Sequence, residues 1–557
     1  MTVKELITIY FTNALKKIES DTRLPPNLFD VSVQLETPKN PNHGDFATSL
    51  ALRLAKPSGM NPKNLAAQII NAAEPSEIIE RIWVEGPGFI NISLRTKWLV
   101  SQVDCINNEG YSFGNSEYGK GDTVQVEFVS VNPTGPVHVG HARGAILGDS
   151  LSNILDTAGF RVTREYYFND AGAQMDLFYR SLYARYLQLF DNETQMPDRG
   201  YMGDYMLDLA QVIFQEFGEE FVNLPQEEAL SKIGVLGLER MLQNIQDDLD
   251  KLKITFDVWF KEHTLYELGQ FNKAMTVLQD GNHITKRDGA TWFVSSALGE
   301  EKDNVIIRST GIPTYFAADI AYHYNKFIER KFSKVINVWG ADHQGHVSRM
   351  KAAVGALGVS PENLTVLITQ IVTLKRGSNQ IRASKRSGEF ITLKELIEEV
   401  GSDPCRYFFL ARSPDSQMEF DIELAKKESS ENPVYYIQYA HARTCSILKV
   451  AQANKIDYKD GDPSLLRDET ELNLIRKMLA FPDLIKSMAE TLEPHHLPHY
   501  SQELASLFHL FYQKCRVVSS KQEDSELTKA RIKLVRCAKF VLGKSLSLMG
   551  MEAPETM

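Results

Sequence analysis

The sequence predicts an α/β protein: a doubly wound parallel sheet with a helical insertion, a small α/β unit before it and an all-α unit after it. Three observations predict this. The apolar runs VQVEFVSV, KVINVWG and LTVLITQIV read as strands buried on both faces. Helical patterns lie between these strands, and such alternation implies crossover connections and a parallel sheet. From Ser402 onward the chain reads as almost all helix.

Taken in order, residues 1–112 read as the first unit. Two helical patterns, Thr2–Ile18 and Asp45–Leu54, surround a short strand, Val31–Leu35. RIWVEGPGFINISL is a strand–turn–strand around Gly86-Pro87-Gly88. The glycine-rich stretch NNEGYSFGNSEYGKGD reads as a linker. The sheet unit is expected over 118–400. VQVEFVSV opens it, the tight segment NPTGP follows, and a helix runs from about Val139 to Ala158. REYYFND is a second strand. Residues 171–290 are mostly helical and read as an insertion. A connector, 401–432, leads to a helical unit, 433–557. The last boundary sits at Asn432-Pro433, because proline disfavours helix at the residue before it.

Composition excludes several classes of protein. The chain has 557 residues, 43% hydrophobic and 24% charged, which is ordinary for globular proteins. Its opening segment, MTVKELITIYFTNALKKIE, lacks the apolar core of a signal peptide. No run approaches the roughly 18 apolar residues of a membrane span. Cys105, Cys405, Cys445, Cys515 and Cys537 are scattered without CxxC spacing, so neither a disulfide framework nor a structural zinc is expected, and a cytoplasmic location is. A net charge of −11 argues against coating nucleic acid by bulk charge. One basic run, TKARIKLVRCAKFVLGKSL, crowds Lys529, Arg531, Lys533, Arg536, Lys539 and Lys544 onto one helix. Two readings fit it: a solvated helix face, or a contact for nucleic-acid phosphate.

HVGH, His138 to His141, is the sharpest chemical signal. It lies where the first sheet strand gives way to a helix. Ligands of doubly wound sheets bind at the C-terminal ends of strands. The first turn of a helix offers unpaired N–H groups and partial positive charge to phosphate. Gly140 lets a nucleotide approach the backbone. Two imidazoles three residues apart can donate to phosphate oxygens as charge develops there.

At this point the chain resembles a class I aminoacyl-tRNA synthetase, whose signature HIGH is matched by HVGH. That family's second signature, KMSKS, is matched by Arg382-Ala383-Ser384-Lys385-Arg386, with arginine for the first lysine and alanine for the methionine. EFVSVNPTGPVHVGHARGAILGD, NDAGAQM, TYFAADIAYH and VWGADHQGH narrow the resemblance to arginyl-tRNA synthetases. GDFATSLALRLAK and VEGPGFINI resemble the family's appended N-terminal domain. YYIQYAHAR and MGMEAPETM resemble its anticodon-binding domain.

The resemblance implies a Rossmann-like catalytic domain that joins L-arginine to tRNA(Arg) through an arginyl-adenylate, with ATP and Mg2+ as the substrate complex. It implies His138, His141 and Lys385 as catalytic residues. Pro133, Thr134, Gly135, Gly140, Arg382 and Ser384 would join them around ATP. Tyr315 and Asp319, four residues apart on one helix face, would hold the guanidinium, since a planar fork favours carboxylate. Ser130, Asn132 and His141 would hold the α-amino and carboxylate groups. Glu127 either lines the arginine site or orients polar groups inside the sheet. His343 would contact arginine, although part of the family has an amide there. Asp342, His343 and His346 also have the chemistry of metal ligands, but the resemblance assigns no metal. It assigns the first domain to the outer corner of tRNA, the connector to the acceptor stem and the last domain to the anticodon. It also implies that tRNA binds before arginine is activated. Tyr435, Tyr436, Tyr439 and His441 would stack on bases, or else pack in the core. Lys529, Arg531, Lys533 and Arg536 would meet backbone phosphate. A monomer without membrane contact is expected. The competing readings are a nucleotidyltransferase that makes an adenylate without tRNA, and an RNA-binding protein that has lost catalysis.

Overall fold

The computed structural model describes residues 1–21, 31–190, 193–377, 379–381 and 391–557. Arg382, Ser384 and Lys385 therefore lie outside the described residues.

The first unit is an antiparallel sheet of β1 (Phe46–Thr48), β2 (Ile79–Glu85) and β3 (Phe89–Leu94), in the order β1-β3-β2. Gly86 and Gly88 make the β2–β3 turn with φ of 54° and 140°. Helices Val3–Asp21, Leu50–Ser58 and Pro62–Ala72 complete the unit. Two expectations are corrected here. Residues 31–35 form no strand, and Glu36 makes only an isolated bridge to Ala47. Phe46–Thr48, expected as helix, is a strand. Asp45 pins it, its N–H donating to the Ile92 carbonyl and its carboxylate accepting from the Leu94 N–H at 2.6 Å.

The central sheet holds β4 (Thr123–Glu127), β5 (Arg161–Phe168) and β6 (Val258–Lys261). An antiparallel trio follows: β7 (Ile284–Arg287), β8 (Ala290–Phe293) and β9 (Asn304–Ile307). The chain then returns to the central sheet as β10 (Lys334–Gly340) and β11 (Leu364–Thr369). The order is β11-β10-β4-β5-β6, parallel throughout. From β4 the chain first builds outward through β5 and β6, then crosses to β10 on the other side. The C-terminal ends of β4 and β10 therefore flank the switch point, where such sheets open a crevice.

Helices Ala173–Leu187, Asp204–Phe217 and Gln226–Lys251 form the insertion. It ends sooner than 290, because β6 belongs to the core sheet. Four residues with half their side chains partly exposed give a strand little period to read. A three-stranded sheet joins β12 (Val372–Arg376) and β13 (Asn379–Ile381) to β14 (Met418–Asp421), and β14 interrupts the stretch from Ser402 expected to be almost all helix. The helical unit begins at Pro433, where the Asn432 side chain accepts from the Val434 N–H at 3.0 Å. Its other long helices include Glu469–Leu479, His496–Lys514 and Ser525–Leu548.

Two buried arginines lock the helix Val139–Thr157 to its surroundings. Arg143 donates to the carbonyls of Gln370, Ser413 and Ser416 at 3.2, 2.6 and 2.7 Å. Arg406, fully buried, donates to the Asp149 carboxylate and to the carbonyls of Leu252 and Met549. It thus joins the helix to the end of the insertion and to the close of the last helix. Gly550, at φ 69°, leaves it room: a Cβ there would lie 2.1 Å from the guanidinium. Arg406→Ala strands the Asp149 carboxylate in the interior and is expected to cost about 3–5 kcal/mol in chemical denaturation. A loss below about 1 kcal/mol would show that Arg406 does not lock these elements together.

Candidate active site

The site grows from the end of β4. After Glu127 the chain turns through two residues of positive φ, Val129 at 68° and Ser130 at 41°. A β-branched residue adopts that region only under constraint. The constraint is visible. Ser130 Oγ accepts from the Tyr167 N–H at 3.1 Å, and the Tyr166 hydroxyl donates to the Val131 carbonyl at 2.8 Å. The insertion holds the next residues. The Asn132 amide donates to Gln174 at 2.7 Å, and the Tyr205 hydroxyl donates to the Thr134 carbonyl at 2.8 Å. Pro133 and Thr134 are buried, Gly135 half-buried and Gly140 exposed.

His138 caps the helix that follows. Its Nδ1 accepts from the Gly140 N–H at 3.1 Å, which puts the proton of the neutral ring on Nε2. The His141 ring lies 3.7 Å away, centroid to centroid, tilted by 34°. The backbone around His138 is also tied to the far flank of the segment carrying Lys385. Val139 N–H donates to the Ile391 carbonyl at 3.2 Å, and Leu393 N–H to the Val137 carbonyl at 2.8 Å. On the near side that segment leaves β13 at Ile381.

A polar chain crosses the core beside Glu127. Lys326 is fully buried in the single π turn Asn325–Glu329, at the end of the helix Tyr315–Tyr324. Its ammonium meets the Glu127 carboxylate, donates to Asn337 Oδ1 at 3.0 Å and lies 4.2 Å from the centre of the Tyr322 ring. The Asn337 amide donates to His323 Nε2 at 3.0 Å, and His323 Nδ1–H donates to the Asp319 carbonyl at 2.8 Å. Burial, with Lys326 nearby, pushes the His323 imidazole down to about 3, so it stays neutral. Of the two readings of Glu127, the geometry favours the one inside the sheet, since Lys326 takes its charge.

Asp319 faces a different balance. Burial raises its carboxyl to about 7, and the neighbouring charges of Glu127 and Glu262 add to the rise, while Lys326 and Arg349 oppose it. Glu262 is itself raised by burial and accepts from the Tyr167 hydroxyl at 2.7 Å. Tyr315 stands 63% exposed one turn before Asp319, open to a ligand. His343 is exposed beyond β10, 3.4 Å from Asp342. Among the described residues, Asp342, His343 and His346 do not gather ligand atoms as a metal would require. Lys326, Asn337 and Glu262 escaped the sequence reading. A lone lysine in the apolar run AADIAYHYNKFI was the available signal for the first.

Three family models match the chain. They are the arginyl tRNA synthetase N-terminal domain over 5–94, the catalytic domain of class I (R) tRNA synthetases over 105–408, and the DALR anticodon binding domain over 437–557. An arginine–tRNA ligase of Dehalococcoides mccartyi is 53% identical over 557 residues, spanning 100% of this chain and 99% of the relative. This chain belongs to the arginyl-tRNA synthetase family. The ligase of Carboxydothermus hydrogenoformans is 47% identical over 95% of both chains. The solved arginyl-tRNA synthetase of Thermus thermophilus, at 23% identity, shares the fold with a TM-score of 0.80 over 100% of both chains. The synthetase is an arginine–tRNA ligase: using ATP, it joins arginine to tRNA(Arg) through an arginyl-adenylate and releases AMP and diphosphate. No helix among the described residues is long and apolar enough to cross a membrane.

The synthetase's expected RNA contacts need correction. His441 is buried and its Nδ1 bonds the Pro554 carbonyl at 2.9 Å, so its ring cannot reach a base. Tyr436 is half-buried against His509, 4.6 Å between ring centres. Tyr435 and Tyr439 stack at 6.1 Å, and Arg443 lies over Tyr439 at 4.6 Å and over Tyr512 at 4.8 Å. The basic run does not form a free face. Arg531 pairs with buried Glu471 at 2.7 Å, Lys533 with Asp104, and Lys529 with Glu526 at 2.8 Å, while Arg536 packs over Phe540. The helix carrying them is a core element, and Arg531 and Lys533 tie it to neighbouring helices.

If Asp319 takes the guanidinium, as proposed below, a carboxyl raised to about 7 by burial makes arginine binding pH-dependent. Below about pH 7 the neutral form of Asp319 prevails and must lose its proton before it can pair with guanidinium. Affinity for arginine is therefore expected to rise with pH, by up to about tenfold per unit below 7, and to level off above. Calorimetric titration from pH 5.5 to 8.5 measures this, and Asp319→Asn should flatten the profile.

Proposed function

We propose that ATP and arginine meet in the crevice flanked by β4 and β10, with His138 and His141 at the α-phosphate and Tyr315 and Asp319 at the guanidinium. One observation carries this reading: the His138 cap and Asp319 both depend on the end of β4. The loop 128–137 leads from that end to the cap, and the charge of Glu127, the last residue of β4, reaches Asp319. The arginine carboxylate then attacks the α-phosphate in line and diphosphate leaves. Positioning and charge do most of the work in such transfers. The His138 Nε2–H, its tautomer set by the cap, donates to the developing charge, and the His141 ring stands beside it. Ser130, Asn132 and His141 hold the amino and carboxylate ends of arginine, and His343 closes over them. The backbone of Pro133, Thr134, Gly135 and Gly140 gives the nucleotide a surface. Lys385, with Arg382 and Ser384, neutralises the departing diphosphate. The pairing of residues 391–393 with the backbone around His138 supports that role, because it brings the end of their loop to the cap.

Mg2+ arrives with ATP as part of the substrate, and no structural zinc takes part. The terminal adenosine of tRNA accepts the arginyl group at its 2′-hydroxyl, and arginine activation waits for tRNA. Residues 1–112 meet the outer corner of tRNA, the connector 401–432 its acceptor stem, and 433–557 its anticodon. Tyr435, Tyr439 and Arg443 are the stacking surface there. The synthetase works as a cytoplasmic monomer.

Arginine-dependent exchange between ATP and diphosphate tests the reading. Exchange should require both arginine and tRNA(Arg). His138→Ala or Lys385→Ala should lower it by about 10²–10³ while leaving tRNA affinity unchanged. Full exchange by either variant would dismiss these roles.

A further inference from the structure

A second cavity, of about 500 Å³, opens in the helical domain between the helices Pro433–Ala453 and Ser525–Leu548. Leu448, Ile456 and Tyr458 give it an apolar and aromatic lining. Lys449, Lys459, Arg536 and Lys539 give it four cations against the carboxylates of Asp457 and Glu555. None of the residues already assigned to ATP or arginine borders it.

An internal anion stands in this basic setting. The segment after the last helix is held by the bond from His441 to the Pro554 carbonyl, and Glu555 follows at once. Its carboxylate lies 3.4 Å from Lys539 and 3.5 Å from Lys449, and those two lysines hold its pKa below the ordinary range. Glu555 is 60% exposed, as is about half of Lys449. Exposed ion pairs of this kind are weak, so the carboxylate is displaceable. A backbone phosphodiester matches the carboxylate in charge and in free oxygens, so it can take its place between the lysines. Arg536 and Lys459 make no ion pair among the described residues, which leaves two further cations for an incoming anion. A cavity of this size suits one nucleotide, and RNA is read by unstacked bases set against aromatic and apolar side chains.

We propose that this cavity receives one nucleotide of tRNA, its phosphate replacing Glu555 between Lys449 and Lys539 and its base entering against Tyr458, Leu448 and Ile456. Glu555 is then a built-in competitor that the RNA displaces. This rests on the assignment of the helical domain to the anticodon arm.

The test uses the whole synthetase and a fluorescent anticodon stem-loop of tRNA(Arg). Glu555→Gln should tighten binding about two- to fivefold, and should lower the KM for tRNA by the same factor with kcat unchanged. Lys449→Gln and Arg536→Gln should each weaken binding and each reduce the logarithmic salt slope by about one. Thermal unfolding of each variant at the parent temperature shows that the fold is kept. Equal or weaker binding by Glu555→Gln would overturn the competitor role, and indifference to both cation changes would overturn the cavity. Inorganic phosphate is the control ligand. If millimolar phosphate displaced the stem-loop from Glu555→Gln as completely as unlabelled stem-loop does, the base would not enter and the nucleotide assignment would fall. Failure of the stem-loop to bind the parent protein at all would instead refute the assignment of the domain.

Discussion

The buried pair of Lys326 and Glu127 is the constraint on which the site depends. An ammonium with no solvent exposure is tolerable only when its charge and donors are met. Here Glu127 meets the charge, Asn337 takes one donor and the Tyr322 ring lies against the ammonium. Each partner comes from a different element: the end of β4, the middle of β10 and the helix before the π turn. Any slip among them would leave a charge or a donor unmet, so the pair fixes where the helix Tyr315–Tyr324 sits on the sheet. The π turn fits the same demand, since it lies where Lys326 must turn inward, and π bulges gather at functional positions.

That fixed helix decides where charge is left over. Glu127 is neutralised by Lys326, and Glu165 is gripped by Arg330. Asp319 and Glu262 make no ion pair among the described residues, and burial makes Asp319 hard to ionise. A pocket that resists its own anion favours a ligand bringing positive charge. Guanidinium matches it better than ammonium does, because its fork can engage a carboxylate through two bonds and its face can lie on Tyr315.

How much of this was legible in the sequence depended on range. HVGH was legible because strand, turn, cap and helix are contiguous, and the cap bond from Gly140 to His138 spans two residues. The hairpin at Gly86-Pro87-Gly88 was legible for the same reason. Asp319 and Tyr315 were legible as a helical pair. Lys326 with Glu127 was not, since 199 residues separate them and only the closed sheet brings them together. β6 and β1 were hidden by their length, four and three residues, which is too short to display a period. Arg382, Ser384 and Lys385 were legible by resemblance to a signature and fall outside the described residues.

The basic helix near the end of the chain shows the opposite failure. Local sequence displayed a row of cations and suggested a surface for phosphate. What it could not display was the supply of carboxylates waiting elsewhere: Asp104 from the helix that leaves the first domain, and Glu471 from the helix Glu469–Leu479, three α-helices earlier. A charged run is free only if no distant anion claims it, and in an acidic chain such anions are abundant. Lys449, Lys459 and Arg536 border a cavity rather than a face, and Glu555 reaches in between Lys449 and Lys539 without being buried. On the proposed reading, RNA at this cavity competes with a loosely held anion of the chain rather than meeting a bare positive surface.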